Sequence, residues 1–137
     1  MNPEEQKPKN PVGRPRKAER DRGISIFLNQ SGFRRIRAQA VALREREIAA
    51  GKRPVGINAF HSAALRSVID LGWPDVSVTS SRGDHLETNI TVNFYMSRVY
   101  LERMDAFVKR VKEEAGKDYN RSIAVRDLID LHLPEKW

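Results

Sequence analysis

Two short segments of the chain alternate apolar and polar residues. The first covers residues 24–28 and the second covers residues 90–96. The apolar positions are Ile24, Ile26 and Leu28 in the first segment and Ile90, Val92, Phe94 and Met96 in the second. A period of two over a short β-branched run is typical of a strand with one buried face. We therefore predict two strands, each with its second face toward solvent.

Each predicted strand is followed by two segments with the periodicity of an amphipathic helix. In the first helix of each half, apolar residues recur at spacings of 3, 4 and 3. They are Phe33, Ile36, Ala40 and Leu43 in one half and Leu101, Met104, Val108 and Val111 in the other. Polar side chains at helix starts predict N-caps at Ser31, Asn58, Ser97 and Asp118.

The two halves repeat each other. Residues 24–43 superpose on residues 92–111 at a shift of 68, and the second helices superpose at a shift of 60. Chance similarity between amphipathic helices is the alternative, but strand, helix, glycine-bearing loop and helix occur twice in the same order, which favours duplication. We predict repeats at 23–71 and 89–137 that form one domain. The Pro-rich segment 1–22 is predicted to be a disordered arm, and 72–88 a linker.

A lone strand has two unpaired edges, so we expect the two strands to pair with each other. The predicted fold is mainly α with one two-stranded antiparallel β-ribbon, in the order β-α-α-linker-β-α-α, with four helices over one face of the ribbon. The other face then carries Ser25, Phe27, Thr91, Asn93 and Tyr95. Because a two-stranded ribbon fits the major groove of B-DNA, we expect these five side chains to read bases.

Charge points to the same kind of partner. The 137 residues carry 25 Lys+Arg and 18 Asp+Glu, a formal net charge of +7, and the pI is about 10.0. Residues 1–22 hold seven bases and four acids, and residues 23–72 hold eight bases and three acids, so the excess lies in the first half. An anionic partner is therefore expected, and nucleic acid is the first candidate. Because the excess lies in the first half, we expect an asymmetric footprint on the nucleic acid.

Composition also excludes several classes of protein. With no cysteine, the chain has no disulfide framework, thiolate zinc site or Cys nucleophile. No apolar run is long enough to span a bilayer, and residues 1–22 do not resemble a secretory signal. The three histidines are scattered, so we expect no enzyme, no catalytic residue, no metal and no cofactor. We expect a cytoplasmic protein that does not contact membranes.

These elements resemble the ribbon-helix-helix family of the Arc, MetJ and CopG repressors. The likeness covers about residues 23–71 and 89–132, with Arg121-Ser122-Ile123-Ala124-Val125-Arg126 matching the start of the family's second helix. The resemblance implies that ribbon side chains read bases and that the start of each second helix holds a phosphate. The phosphate residues so implied are Asn58, His61, Asn120, Arg121 and Ser122. Phe27 departs from the family because it is apolar, and Asp118 departs because its charge repels phosphate.

Two further basic segments are candidate DNA contacts. Arg34 and Arg35 lie one turn after the first strand and are expected along the DNA backbone, with a solvated helix face as the alternative. In the arm, Val12-Gly13-Arg14-Pro15-Arg16-Lys17 resembles an AT-hook, a minor-groove element. Its candidate contacts are Arg14, Pro15, Arg16 and Lys17; the alternative is a basic arm that touches phosphates only.

The expected function is sequence-specific binding of double-stranded DNA by a transcriptional regulator, a repressor. Both copies of the unit in one chain resemble tandem accessory proteins of conjugative plasmids and T-DNA processing, so a relaxosome accessory protein near an origin of transfer is the alternative. A toxin-neutralising antitoxin and an RNA-binding protein are weaker alternatives. Further copies of the chain on DNA, or a relaxase, are the other expected partners. The expected location is the bacterial nucleoid or a plasmid.

Overall fold

The computed structural model describes residues 21–53, 56–81 and 90–134. Within these ranges the protein is mainly helical, with one two-stranded antiparallel sheet and four α-helices in the order β-α-α-β-α-α. The first half contains β1 (Arg22–Leu28), α1 (Gln30–Ala49) and α2 (Ile57–Leu71). The second half contains β2 (Ile90–Met96), α3 (Arg98–Ala115) and α4 (Arg121–His132). A short 3-10 turn, Val76–Val78, lies between the halves.

The two strands form a ribbon with Ser25 opposite Asn93 at its centre. Arg22 pairs with Met96 at one end, and Leu28 pairs with Ile90 at the other. The predicted alternation is confirmed: the inward side chains are buried, apart from Ile90, which is half-buried. Each strand therefore offers one apolar face to the helices and one face to solvent.

All four helices pack beneath the inward face of the ribbon. One core cluster joins both strands to the apolar faces of the helices, with Ile36, Leu65, Met104 and Leu128 fully buried. A smaller cluster between α3 and α4 contains Phe107, Tyr119 and Ile123. Trp73 closes that cluster by stacking on Phe107, with ring centroids 4.8 Å apart and planes 18° apart. Burial of these side chains is the main stabilising contribution to the fold.

The helix caps correct the sequence prediction at three of four positions. Ser97 is the N-cap of α3, as predicted. The other helices start after Asn29, Gly56 and Asn120 rather than at Ser31, Asn58 and Asp118. The Asn29 and Asn120 side chains accept hydrogen bonds from the amides of Gly32 (2.7 Å) and Ile123 (3.0 Å), which satisfies free donors of the first turn. Asp118 lies in the loop before α4, outside the helix start.

Part of the segment between the halves packs against the second half. Of the predicted linker, residues 72–81 fall in the described part of the chain, and they pack on α3 and α4 rather than crossing open solvent. Thr79 is buried, and the backbone amide of Ser80 donates to the Asp127 carboxylate over 3.0 Å. At the other predicted boundary, Arg22 belongs to β1 and not to the arm. Across the described ranges, no helix combines the length and apolar character needed to cross a membrane.

Candidate nucleic-acid interface

The outer face of the ribbon carries the five residues predicted to read bases. Ser25, Phe27, Thr91, Asn93 and Tyr95 are all exposed on the side opposite the core. Phe27 is 50% exposed and Tyr95 is 54% exposed, a large apolar area for residues in regular structure. The alternation of each strand forces this outcome, since its other face is filled by the core.

The centre of the outer face is polar and its flanks are aromatic. Ser25 Oγ donates to Asn93 Oδ1 over 2.9 Å, so this bond fixes the Asn93 side chain without using its amide nitrogen. Phe27 lies opposite Thr91, and Tyr95 lies opposite Gly23. A Cβ placed on Gly23 would lie 3.2 Å from the Tyr95 ring, so the missing side chain gives that ring its space. The surface thus presents hydrogen-bonding groups between two exposed rings.

A serine on α2 and a serine on α4 hold the two edges of the ribbon. The Tyr95 amide donates to Ser62 Oγ over 2.8 Å, and the Phe27 amide donates to Ser122 Oγ over 2.9 Å. Both amides point away from the partner strand and would otherwise be open edge donors. Ser122, predicted as a phosphate contact, therefore positions the strand through its oxygen. These bonds also place the start of α2 beside Tyr95 and the start of α4 beside Phe27.

His61 is the clearest correction among the predicted phosphate contacts. Its side chain is buried, with 4% exposed, and packs edge-on against Phe33 at a centroid distance of 5.9 Å. Burial, with a smaller contribution from the Arg37 charge, lowers the pKa of His61 and favours the uncharged ring. A buried neutral imidazole does not reach a phosphate on the surface. The helical phase of α2 turns this residue inward, whereas Asn58 in the first turn is exposed.

At the start of α4, the predicted phosphate contacts already have protein partners. Arg121 holds Asp105 of α3 in a two-bond fork, with Nε–Oδ1 and Nη2–Oδ2 distances of 2.8 Å each. The hydrogen bond with Arg121 lowers the pKa of Asp105, and the same bond raises the pKa of Arg121. Asn120 uses its side-chain oxygen as the helix cap. The positive charge of Arg121 is therefore matched within the protein.

The two arginines predicted along the DNA backbone separate in the structure. Arg34 is exposed on α1. Arg35 turns toward α4, where Nη2 lies 2.9 Å from Asp130 and Nη1 donates to the Leu133 carbonyl over 3.2 Å. Arg35 therefore joins two helices, which corrects its prediction as a phosphate contact. The cause is the helical turn, since neighbouring residues point about 100° apart.

Sequence reasoning missed a buried polar network around Asp127. The Asp127 carboxylate accepts from the Tyr119 hydroxyl over 2.7 Å and from the Ser80 hydroxyl over 2.7 Å. Lys117 Nζ donates to the Thr79 carbonyl nearby. The available signal was the position of Asp127, between Val125 and Leu128 on the apolar side of α4. The network holds residues 79–80 against the second half.

The predicted contacts of the arm lie outside the described residues; they are Arg14, Pro15, Arg16 and Lys17. Within the described ranges, no group of His, Cys, Asp and Glu is arranged to hold a metal ion. Comparison of the chain with protein-family models, curated proteins and solved structures found no match.

Proposed function

We propose that the protein binds double-stranded DNA sequence-specifically through a tandem ribbon-helix-helix domain, with its ribbon in the major groove. The observation that carries the proposal is the outer ribbon face, where polar and aromatic side chains project from two strands held rigid by the core below. A two-stranded ribbon has the width that the major groove admits. The net charge of +7 supplies attraction to phosphate.

Internal symmetry of the contacts supports the tandem arrangement. In the ribbon, each residue of β1 is equivalent to the residue of β2 whose number is 68 higher. Replacing both members of the Ile24–Phe94 pair by their equivalents gives the Ile26–Val92 pair, and the Ser25–Asn93 pair is its own equivalent. Contacts between the helices of the two halves correspond when 68 is used for strand and first-helix residues and 60 for second-helix residues. Arg35–Asp130 at 2.9 Å corresponds to Arg103–Asp70 at 3.5 Å, and the Ser122 bond corresponds to the Ser62 bond.

A further contact between the halves joins two residues at equivalent positions. His132 Nε2 donates to the Gly72 carbonyl over 2.7 Å, and these two positions are 60 apart, the shift that relates α2 to α4. A local two-fold axis through the Ser25–Asn93 and Gly72–His132 pairs accounts for all these contacts. Two repeats packed in this way resemble a ribbon-helix-helix dimer contained in one chain.

The spacing of the exposed side chains suggests how bases are read. Ser25 and Asn93 at the centre supply hydrogen-bonding groups for base edges, while Phe27 and Tyr95 suit thymine methyl groups. Because Phe27 lies opposite Thr91, the two rings are separated by four residues along the ribbon. At about 3.3 Å per residue this is about 13 Å, close to four base-pair steps. We expect thymines at two positions about four steps apart in the preferred site.

The test compares binding to a selected site with binding to random DNA. The double substitution Ser25→Ala and Asn93→Ala is expected to reduce the ratio of the two affinities and to leave random-sequence binding nearly unchanged. Ser77→Ala is the control, because Ser77 is exposed in the 3-10 turn away from the ribbon. Equal loss on both DNAs would contradict the assignment of base reading to the ribbon.

The arm is tested by its salt dependence. We propose that Arg14, Arg16 and Lys17 add contacts to the minor groove or to phosphates. A chain lacking residues 2–20 keeps β1 whole and is expected to show a shallower dependence of log affinity on log salt concentration. An unchanged slope would mean that the arm does not contact DNA.

For the biological role we propose transcriptional repression, with a relaxosome accessory function as the alternative. Both require the same ribbon and differ in where it binds. Footprinting on the source plasmid or genome distinguishes them, because a repressor protects a promoter and an accessory protein protects the region of the nick. Protection at neither place would remove both roles while leaving DNA binding intact.

A further inference from the structure

Two corners flank the ribbon at equivalent positions, and they differ in charge. We call Arg37 on α1 and His61 on α2, whose pKa the Arg37 charge lowers, the first corner, and the ion pair of Asp105 on α3 with Arg121 on α4 the second corner. The shifts of 68 and 60 relate Arg37 to Asp105 and His61 to Arg121. His61 and Arg121 precede Ser62 and Ser122, whose hydroxyls bind the strand amides. The first corner therefore lies beside Tyr95, and the second beside Phe27.

At the second corner, two of the arginines are matched by carboxylates. The Arg121 fork to Asp105 uses two charge-assisted bonds of 2.8 Å each. One turn earlier on α3, Arg98 Nε lies 2.9 Å from Glu102 in an i,i+4 pair. Both of these arginines therefore face a carboxylate of the same half. Arg22 of β1 lines the same pocket, so a phosphate approaching here meets three positive groups and two negative groups.

The first corner carries bases, Arg37 and Arg34, at the positions where the second corner carries the acids Asp105 and Glu102. Arg37 is exposed, and among the described residues it has no hydrogen bond or ion pair. His61 stands where the second corner has Arg121, and it is buried and uncharged near neutral pH. Arg34 occupies the position of Glu102, so an acid of the second half is replaced by a base. No carboxylate at the equivalent positions offsets Arg37.

We propose that DNA is held asymmetrically: Arg37 binds the phosphate backbone on the flank beside Tyr95, and the Asp105–Arg121 pair leaves the flank beside Phe27 without an equivalent grip. This inference rests on the proposed function. The ribbon is nearly symmetric in backbone, but the anchor is one-sided. On a near-palindromic site the protein is therefore bound in one of the two possible orientations, with the first corner always over the same half-site.

The test uses two substitutions with opposite expected signs. Arg37→Ala is expected to weaken binding and to lower the salt slope by about 1, the loss of one phosphate contact. Asp105→Asn keeps the size of the side chain, releases Arg121 and is expected to tighten binding and raise the slope by about 1. Phosphate-ethylation interference should show one sensitive flank for the natural chain and two for the Asp105→Asn variant.

Charge-matched controls separate a local contact from net charge. Arg46→Ala removes a base from the last turn of α1, and Glu113→Ala removes an exposed acid from α3; each should change binding far less than the corner variant of equal charge. Asp105→Ala repeats the release of Arg121 with a different side chain, and thermal melting confirms that each variant is folded. Equal interference on both flanks of the natural chain, or no gain from either Asp105 variant, overturns the asymmetric grip. Failure to prefer any duplex sequence over random DNA overturns the proposed function itself.

Discussion

The two serines that hold the edges of the ribbon are expected to differ in their contribution to stability. Ser62 is 3% exposed and its bond with the Tyr95 amide is partly buried, whereas the Ser122 bond with the Phe27 amide is exposed. Ser62→Ala strands a partly buried amide, which costs about 1–3 kcal/mol. After Ser122→Ala, water reaches the amide and replaces the hydroxyl, so the cost is nearer about 0.5 kcal/mol.

Urea denaturation followed by circular dichroism measures this difference. If the free energy of unfolding falls by about 2 kcal/mol and its dependence on urea concentration is unchanged, the urea midpoint falls by about 1 M. The two bonds lie about 13 Å apart along the ribbon, so the costs should add in the double variant. Ser67→Ala is the control, because its hydroxyl donates to the Ala64 carbonyl inside α2 and not to the ribbon. A Ser122→Ala cost equal to that of Ser62→Ala would refute the argument from burial.

Three further predictions concern stability. Asp127→Ala leaves the hydroxyls of Tyr119 and Ser80 without their acceptor and should lower the free energy of unfolding by about 3 kcal/mol; a loss below that of an exposed Asp70→Ala control would contradict it. The pKa of His61 is lower in the folded chain than its usual 6.5, so the unfolded state binds the proton more readily. The contribution of His61 to the free energy of unfolding should therefore be complete above pH 6.5 and decrease as the pH drops toward the folded-state pKa. His61→Leu should remove this part of the decrease. Denaturation at pH 7.5 and pH 5.5, about one unit on either side of 6.5, tests the prediction. Gly116 has φ 65° at the end of α3, so Gly116→Ala should lower the free energy of unfolding by about 1 kcal/mol, measured by thermal melting; an unchanged melting temperature would contradict this reasoning.

Strands and helices were predictable because each has one buried face. The period of two at Ile24, Ile26 and Leu28 identifies the side of β1 that packs on the helices, and the same argument leaves Phe27 outside. Element ends were less predictable. Asn29 and Ser31 are both suitable N-cap residues and lie two positions apart. The sequence does not show after which of them the helix begins.

Side-chain roles at the corners depended on geometry that no local pattern contains. His61 and Arg121 occupy equivalent places near the starts of α2 and α4, yet one is buried against Phe33 and the other pairs with Asp105. The partner residue is 28 positions away from His61 in the first case and 16 in the second, by subtraction of the residue numbers. Such pairings follow from helix packing and not from spacing within one helix.

Both strands of the ribbon come from one polypeptide, and this changes how occupancy depends on dose. A ribbon assembled from two separate chains is lost on dilution, because each half must find the other before it is folded. Here strand pairing is intramolecular, so the number of complete ribbons is proportional to the number of chains and not to the square of that number. The unfolding midpoint should be the same at every protein concentration. A gene that is expressed at a few copies per cell then still yields complete ribbons, and a natural chain does not form its ribbon with a strand of a defective one.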